Sequence, residues 1–297
     1  MDEPIGFIGL GVMGAGMARN IAAAGFPLVV TTSSKEKARA FREAGATVVG
    51  SPREVAAAAR IVVTCVPDAE ALNGVLQGER GLAGAAWNDG LLIDCSTIAP
   101  FEAEAAARLL SPLGARMIDA PVSGGAKGAN EGTLTIRVGG SDDDVARARP
   151  VLEAMGKNIH HVGPAGAGQA VKACNQLMVA VNLMGACEAI AVARAAGVDP
   201  HVMREVLSSG AARSGVLEMH AKRYIDETLE GGFRAELMRK DLGIAAAIGA
   251  HQRRAQPATT LAHQMMTAAC NAGFAKLDSA ALGLFYDLMN GTAETEA

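Results

Sequence analysis

The stretch "IGFIGLGVMGAGM" opens on a short apolar run and then sets Gly9, Gly11 and Gly14 in a GxGxxG spacing. No other feature constrains the chain as much. A strand must end, turn sharply and pass straight into a helix. The first glycine permits the tight turn, the second lets backbone approach a pyrophosphate, and the third lets helix pack on strand. Free N–H groups at the helix start then favour an anion. Leu10, Val12 and Met13 lie between these glycines and complete the candidate nucleotide loop.

The pattern continues beyond the loop. Gly11 to Ala24 reads as a helix, "PLVVTT" as a second strand, Lys35 to Ala44 as a helix and "ATVVG" as a third strand. Ser51-Pro52 reads as an N-cap followed by proline at the first helical position. "RIVVTCV", "GLLIDCS" and "ARMIDAP" are further strands, separated by helical patterns. Apolar strands alternating with helices predict a parallel sheet covered on both faces.

Near Gly163 to Ala167 the character changes. Gly166 to Ala196 is one long helical pattern, and more helices follow near 200–209, 217–226, 236–252, 257–272 and 278–289. The fold expected is α/β: an N-terminal Rossmann-type doubly wound sheet over 1–163, then an all-α domain over 164–297. A chain of 297 residues suits two domains. Aromatics are 3% of the residues, so Ala, Val, Leu, Ile and Met must fill the cores. The tail "GTAETEA" is expected to be loose.

Composition excludes several functions. The net charge of -4, without a long basic run, argues against a nucleic-acid partner. Cys65, Cys95, Cys174, Cys187 and Cys270 are odd in number and widely spaced, so neither a disulfide framework nor a zinc site is expected. A reducing cytoplasm fits. "MDEPIGF" has no basic segment before its strand, so no signal peptide is expected. The long apolar stretch is broken by Asn175, Gln176 and Asn182 and reads as a buried helix, with no membrane partner. His160 and His161 end a strand and read as structural; no spacing resembles a metal-ligand set.

Two places carry the chemistry. After the second strand, NAD-binding chains place an acid that grips the ribose diol. Here Thr31, Thr32, Ser33, Ser34 and Lys35 stand there, and no acid occurs until Glu36. Hydroxyls with Lys35 or Lys37 could hold a 2′-phosphate, so NADP is the expected cofactor, with NAD possible. Elsewhere, Lys172 is the one charge in "GQAVKACNQLMVAVNLMGAC". Burying an ammonium is costly unless something compensates it. Asn175 lies three residues on, hence on the same helix face. Ser123, Gly124 and Gly125 follow a strand and can turn backbone N–H groups toward an anion.

The chain resembles the β-hydroxyacid dehydrogenases, a family that includes 3-hydroxyisobutyrate dehydrogenase and tartronate semialdehyde reductase. The likeness rests on "GFIGLGVMG", "VPD" at 66–68, "DCSTIAP" at 94–100, "DAPVSGGAKGANEGTLTIRVGG" at 119–140, "GQAVKACNQ" at 168–176 and "KDL" at 240–242. It spans almost the whole chain. The resemblance implies that Lys172 and Asn175 are catalytic and that Ser123, Gly124 and Gly125 cradle a substrate carboxylate. It implies that Ser96, Thr97 and Lys240 line the nicotinamide end of the cofactor. The Val66-Pro67 pair is placed with the cofactor too. Ser33 stands where many NADP-using relatives carry Arg. Lys240 reads equally as a helix lysine paired with Asp241 or Glu236.

The function expected is an NAD(P)-dependent oxidoreductase. It passes a hydride between nicotinamide and a small 3-hydroxy acid or its semialdehyde, with Lys172 as general acid or base. Imine reductases share the fold, but their resemblance lacks this lysine and the full cradle. A non-catalytic nucleotide-sensing module would have no use for Lys172, Asn175 and the cradle together. The resemblance also implies a homodimer or homotetramer, with the apolar helix as the subunit contact.

Overall fold

The computed structural model describes residues 3–87 and 89–292. Two compact units divide at Lys172 and Ala173. In the first, strands and helices alternate as β1 (Ile5–Ile8), α1 (Gly14–Ala23), β2 (Leu28–Thr31), α2 (Lys35–Glu43), β3 (Thr47–Val49), α3 (Pro52–Ala58), β4 (Ile61–Thr64), α4 (Ala69–Gln77), β5 (Gly90–Asp94), α5 (Pro100–Leu110) and β6 (Ala115–Asp119). The chain then adds β7 (Val122–Ser123), α6 (Gly125–Glu131), β8 (Leu134–Gly139), α7 (Asp142–Met155) and β9 (Gly156–Gly163).

The sheet runs β3-β2-β1-β4-β5-β6-β8-β7, with β9 on β8. From β3 to β6 every pairing is parallel. That is the doubly wound order, which puts all the carboxyl ends of these strands on one edge. Alternate residues feed opposite faces. Ile5, Phe7, Val30, Ile61, Val63, Leu91 and Ile93 join one apolar core under α1 and α7. Ile8, Val29, Val62 and Leu92 join the other, under α3, α4 and α5. Covering both faces is what makes these strands apolar throughout.

The parallel-dominated sheet bears out the expected class, with one addition. β8 runs antiparallel to both β6 and β7. The alternation in "LTIRVG" is the period of a half-buried strand, so its signal was present. The first helix also starts at Gly14, not Gly11. Residues 11–13 form the turn of the glycine loop, which a helix from Gly11 would have consumed. Ser34 and Ser51 do cap α2 and α3, accepting from the Lys37 and Glu54 amides.

The helix α8 (Ala167–Ala195) begins in the first unit and continues into the second. The second unit adds α9 (Pro200–Ser208), α10 (Gly215–Ile225), α11 (Ala235–Gln252), α12 (Pro257–Ala269) and α13 (Leu282–Asn290). The turn after Ala269 widens to a π-type turn at Cys270–Phe274, where Gly273 has positive φ, so α12 stops short of 272. No disulfide forms among the described residues. The tail expected to be loose lies, from residue 293 on, outside them.

Candidate active site

Geometry at the end of β1 follows from what a side chain there would strike. Gly9 has φ of 101°, and a Cβ on it would collide with the Cys65 carbonyl oxygen. A Cβ on Gly14 would collide with the Gly9 carbonyl oxygen and lie 3.0 Å from Phe7 Cε1. A Cβ on Gly11 meets nothing within 4 Å. Two glycines are thus required by protein atoms, and the third faces open space, as close approach of a pyrophosphate to the backbone requires. No side chain caps the first turn of α1, which leaves that end available to an anion. Val12 is 77% exposed, and Met13 and Leu10 complete the loop. The residues fit a dinucleotide.

The loop after β2 is organised by its own hydroxyls. The Ser34 amide donates to Thr32 Oγ1 at 3.2 Å, and Ser34 Oγ accepts from the Lys37 amide at 3.3 Å. Ser33 and Lys35 are exposed. Lys37 reaches across: its Nζ donates to the Leu10 carbonyl at 2.6 Å. The lysine expected near a 2′-phosphate is therefore tied to the glycine loop.

After β4 and β5 a buried carboxylate does the same work. Asp94 Oδ1 accepts from Thr64 Oγ1 at 2.7 Å, Ser96 Oγ at 2.6 Å and the Ser96 amide at 3.2 Å. The Val66 amide donates to Ser96 Oγ at 3.0 Å. One aspartate so fixes the two loops that carry Val66 and exposed Pro67, and Ser96 and half-buried Thr97. Gln169 adds a clamp. Its Nε2 donates to the Ser96 carbonyl at 2.8 Å and its Oε1 accepts from the Ile98 amide at 3.2 Å.

Asp119, the register partner of Asp94 on β6, holds the start of α8. Its Oδ1 accepts from the Gly166 amide at 2.6 Å and its Oδ2 from the Gln169 amide at 2.9 Å. Burial pushes its carboxyl up to about 6; the two amide bonds oppose this, and the charge on Asp94 adds to it. One turn further along α8 stands Lys172, 5% exposed. Its Nζ donates to the Val122 carbonyl at 3.0 Å and to Ser123 Oγ at 3.2 Å. The lysine and the Ser-Gly-Gly turn, 49 residues apart, are brought together. Gly124 and Gly125 have φ of 135° and 61°, which a side chain would resist.

In the second unit, Asn175 Nδ2 donates to Gln176 Oε1 at 2.9 Å, and Gln176 Nε2 to Asp241 Oδ2 at 2.7 Å. Lys240 Nζ lies 3.3 Å from Asp241 Oδ1. Lys240 pairs with Asp241, while Glu236 pairs with Arg234 and Lys276. His161 bonds the Gly140 and Gly163 carbonyls beside β9.

Sequence reading missed Asp94, Asp119, Gln169, Gln176 and Arg137. Both strand-end aspartates follow an apolar run, in "LLID" and "RMID". A polar residue closing a buried strand is the signal that could have found them. Arg137 donates from Nη1 to Ser123 Oγ at 3.0 Å; in sequence it is one strand residue among others.

Residues 4–163 match the model of the NAD binding domain of 6-phosphogluconate dehydrogenase, and 166–285 match the one described as NAD-binding of NADP-dependent 3-hydroxyisobutyrate dehydrogenase. The 2-hydroxy-3-oxopropionate reductase of Escherichia coli K12 is 40% identical over 285 residues, covering 96% of this chain and 97% of its own. The mitochondrial 3-hydroxyisobutyrate dehydrogenase of Mus musculus is 35% identical, over 93% of this chain and 84% of its own. A solved Mycobacterium tuberculosis 3-hydroxyisobutyrate dehydrogenase superposes with a TM-score of 0.90 at 33% identity, covering 96% of this chain and 99% of that one. An imine reductase from Myxococcus stipitatus, at 18% identity and a TM-score of 0.66, shares the fold alone. Fold and site define an NAD(P)-dependent oxidoreductase acting on CH–OH groups. The chain belongs to the β-hydroxyacid dehydrogenase family.

Proposed function

We propose that the enzyme interconverts a small 3-hydroxy acid and its semialdehyde. Gly9 to Gly14, Thr32, Ser33, Ser34, Val66, Pro67, Ser96, Thr97 and Lys240 hold the cofactor. Ser123, Gly124 and Gly125 hold the substrate carboxylate. The observation that carries this reading is the buried Lys172 Nζ placed 3.2 Å from Ser123 Oγ. When bound, the nicotinamide supplies or accepts the hydride. As the neutral amine, Lys172 takes the proton of the substrate hydroxyl on oxidation; as the ammonium, it returns that proton on reduction. Asn175, one turn along the same helix, orients that hydroxyl. The Val122 carbonyl and the Ser123 hydroxyl hold the lysine in place for proton transfer.

The functional division we propose is 1–163 for the nucleotide and 164–297 for substrate and subunit contacts. NADP(H) is the preferred cofactor. α8 is long and apolar enough to cross a membrane by length and composition, but its interruption by Gln176 and Asn182 supports a core helix of a cytoplasmic enzyme. Val171, Met178 and Val192 are 39%, 56% and 69% exposed and recur at multiples of seven, one stripe along the helix. That stripe supports a homodimer or homotetramer. The acidic net charge supports a protein without a nucleic-acid partner. A panel of 3-hydroxy acids and short semialdehydes, assayed with both cofactors, tests the reading. No turnover of any member would end it.

A further inference from the structure

Ser123 Oγ receives two cationic donors. Lys172 Nζ approaches at 3.2 Å and Arg137 Nη1 at 3.0 Å. A hydroxyl oxygen has two lone pairs and one hydrogen. With both lone pairs engaged, the remaining O–H points away from the two cations, ready for an acceptor. Arg137 reaches this point because β7 and β8 are antiparallel. Ser123 pairs with Thr135, and Arg137 lies two residues beyond it on the same face. Its guanidinium is half-buried, and burial pushes its pKa down.

This arrangement does more than orient a serine. Two cations drawn to one neutral oxygen repel each other. An oxyanion placed beside them is attracted to both and accepts the serine hydrogen as well. A guanidinium also presents its N–H donors in a planar fork that matches a carboxylate. We infer that Arg137 is a further substrate-binding residue, which grips the substrate carboxylate together with Ser123 and sets the preference for acids over their neutral analogues. This rests on the hydroxy-acid reading above and extends its anion cradle beyond the Ser-Gly-Gly turn.

The first measurement does not require turnover. Isobutyrate, a short non-reacting carboxylate, is titrated into the NADP-loaded enzyme by calorimetry, with isobutyramide as the neutral control. The wild type is expected to prefer the acid. Arg137→Met should weaken isobutyrate about 10- to 100-fold, the loss typical of a charge-assisted bond, and leave isobutyramide nearly unchanged. Arg137→Lys, which keeps charge but not the fork, should fall between, and it serves in place of the Met variant should that one fail to fold. Equal affinity of wild type and variant for isobutyrate would overturn the inference. So would a wild type that binds acid and amide alike.

Kinetics with a turned-over hydroxy acid and its methyl ester give a second readout. The Arg137→Met loss should fall on KM more than on kcat, and on the acid far more than the ester. An equal loss on both would reduce Arg137 to a support for Ser123. Absence of any hydroxy-acid turnover in the wild type would instead sink the catalytic reading, while the isobutyrate titration would still decide the role of Arg137.

Discussion

Two loops of the same sheet are built by different means. The glycine loop after β1 has its shape because side chains are missing: Gly9 and Gly14 sit where a Cβ would strike backbone oxygen. The turn after β7 is shaped by side chains that arrive from elsewhere, Arg137 from β8 and Lys172 from α8. The first is a steric device whose glycines lie within six residues. The second is a hydrogen-bonded device whose parts are 14 and 49 residues apart. Steric loops tolerate no added atoms, and bonded ones tolerate no lost donors.

The contrast can be broken at either end. The largest expected effect is at the bonded end. Lys172→Ala should lower kcat about 100- to 10,000-fold, the usual loss for a general acid or base. NADP(H) affinity, measured by fluorescence titration, should be kept. A mutant with half the wild-type kcat would show that Lys172 is only a structural donor to Val122 and Ser123.

At the steric end the expected loss is of structure. Gly9→Ala would demand a positive φ of an alanine and drive its Cβ into the Cys65 carbonyl, a cost of about 2 to 4 kcal/mol. Thermal melts should show it without cofactor. Gly11→Ala, with nothing to strike, should melt like the wild type yet bind NADP(H) more weakly. Identical melts for the two variants would remove the steric account.

Asp119 supplies a pH test between these ends. Its carboxyl is pushed up to about 6 in the folded protein, above the ordinary value near 4. The folded state therefore binds the proton more tightly than the unfolded chain does. The stabilisation this group gives is full below pH 4 and is lost as pH rises through 6, by about 2 to 3 kcal/mol. Asp119→Asn should remove that slope. It should also lower stability throughout, because an amide cannot accept from both Gly166 and Gln169. An unchanged slope in denaturant titrations from pH 4 to 7 would assign the carboxyl an ordinary pKa.

The smallest expected effect concerns cofactor choice. kcat/KM should favour NADP over NAD about tenfold, near 1.4 kcal/mol. No acid at Thr32 repels a 2′-phosphate, but Ser33 offers no guanidinium fork. Lys35→Ala, which removes an exposed lysine of this loop, should erode the preference. A clear NAD preference in the wild type would show that a missing acid is not enough.

The same contrast explains what was legible in the chain. Glycine spacing, serine caps and the apolar strands are local, so the nucleotide loop, α2, α3 and the order of β1 to β6 could be read directly. "SGG" and Lys172 were visible as separate motifs, yet their meeting depends on a sheet that reverses direction at β8. Arg137 and Thr135 read as the polar half of an alternating strand; only antiparallel pairing with β7 brings Arg137 to Ser123. Asp119 stayed unread because its partners are backbone amides, which leave no trace in residue identity, and Asp94 because one of its hydroxyl partners, Thr64, lies 30 residues away on the neighbouring strand.

The two Asp119 bonds also set a mechanical tolerance for the enzyme. Gln169 is anchored to β6, and Lys172 follows three residues later, about 4.5 Å along a rigid helix. A tilt of α8 about that anchor therefore moves the start of the lysine side chain very little, whereas a group several turns onward would swing widely. A misplacement of about 1 Å can cost on the order of 100-fold in rate. With the pivot one turn away, Lys172 inherits the precision of the sheet, which is what the proposed proton transfer at its Nζ would require.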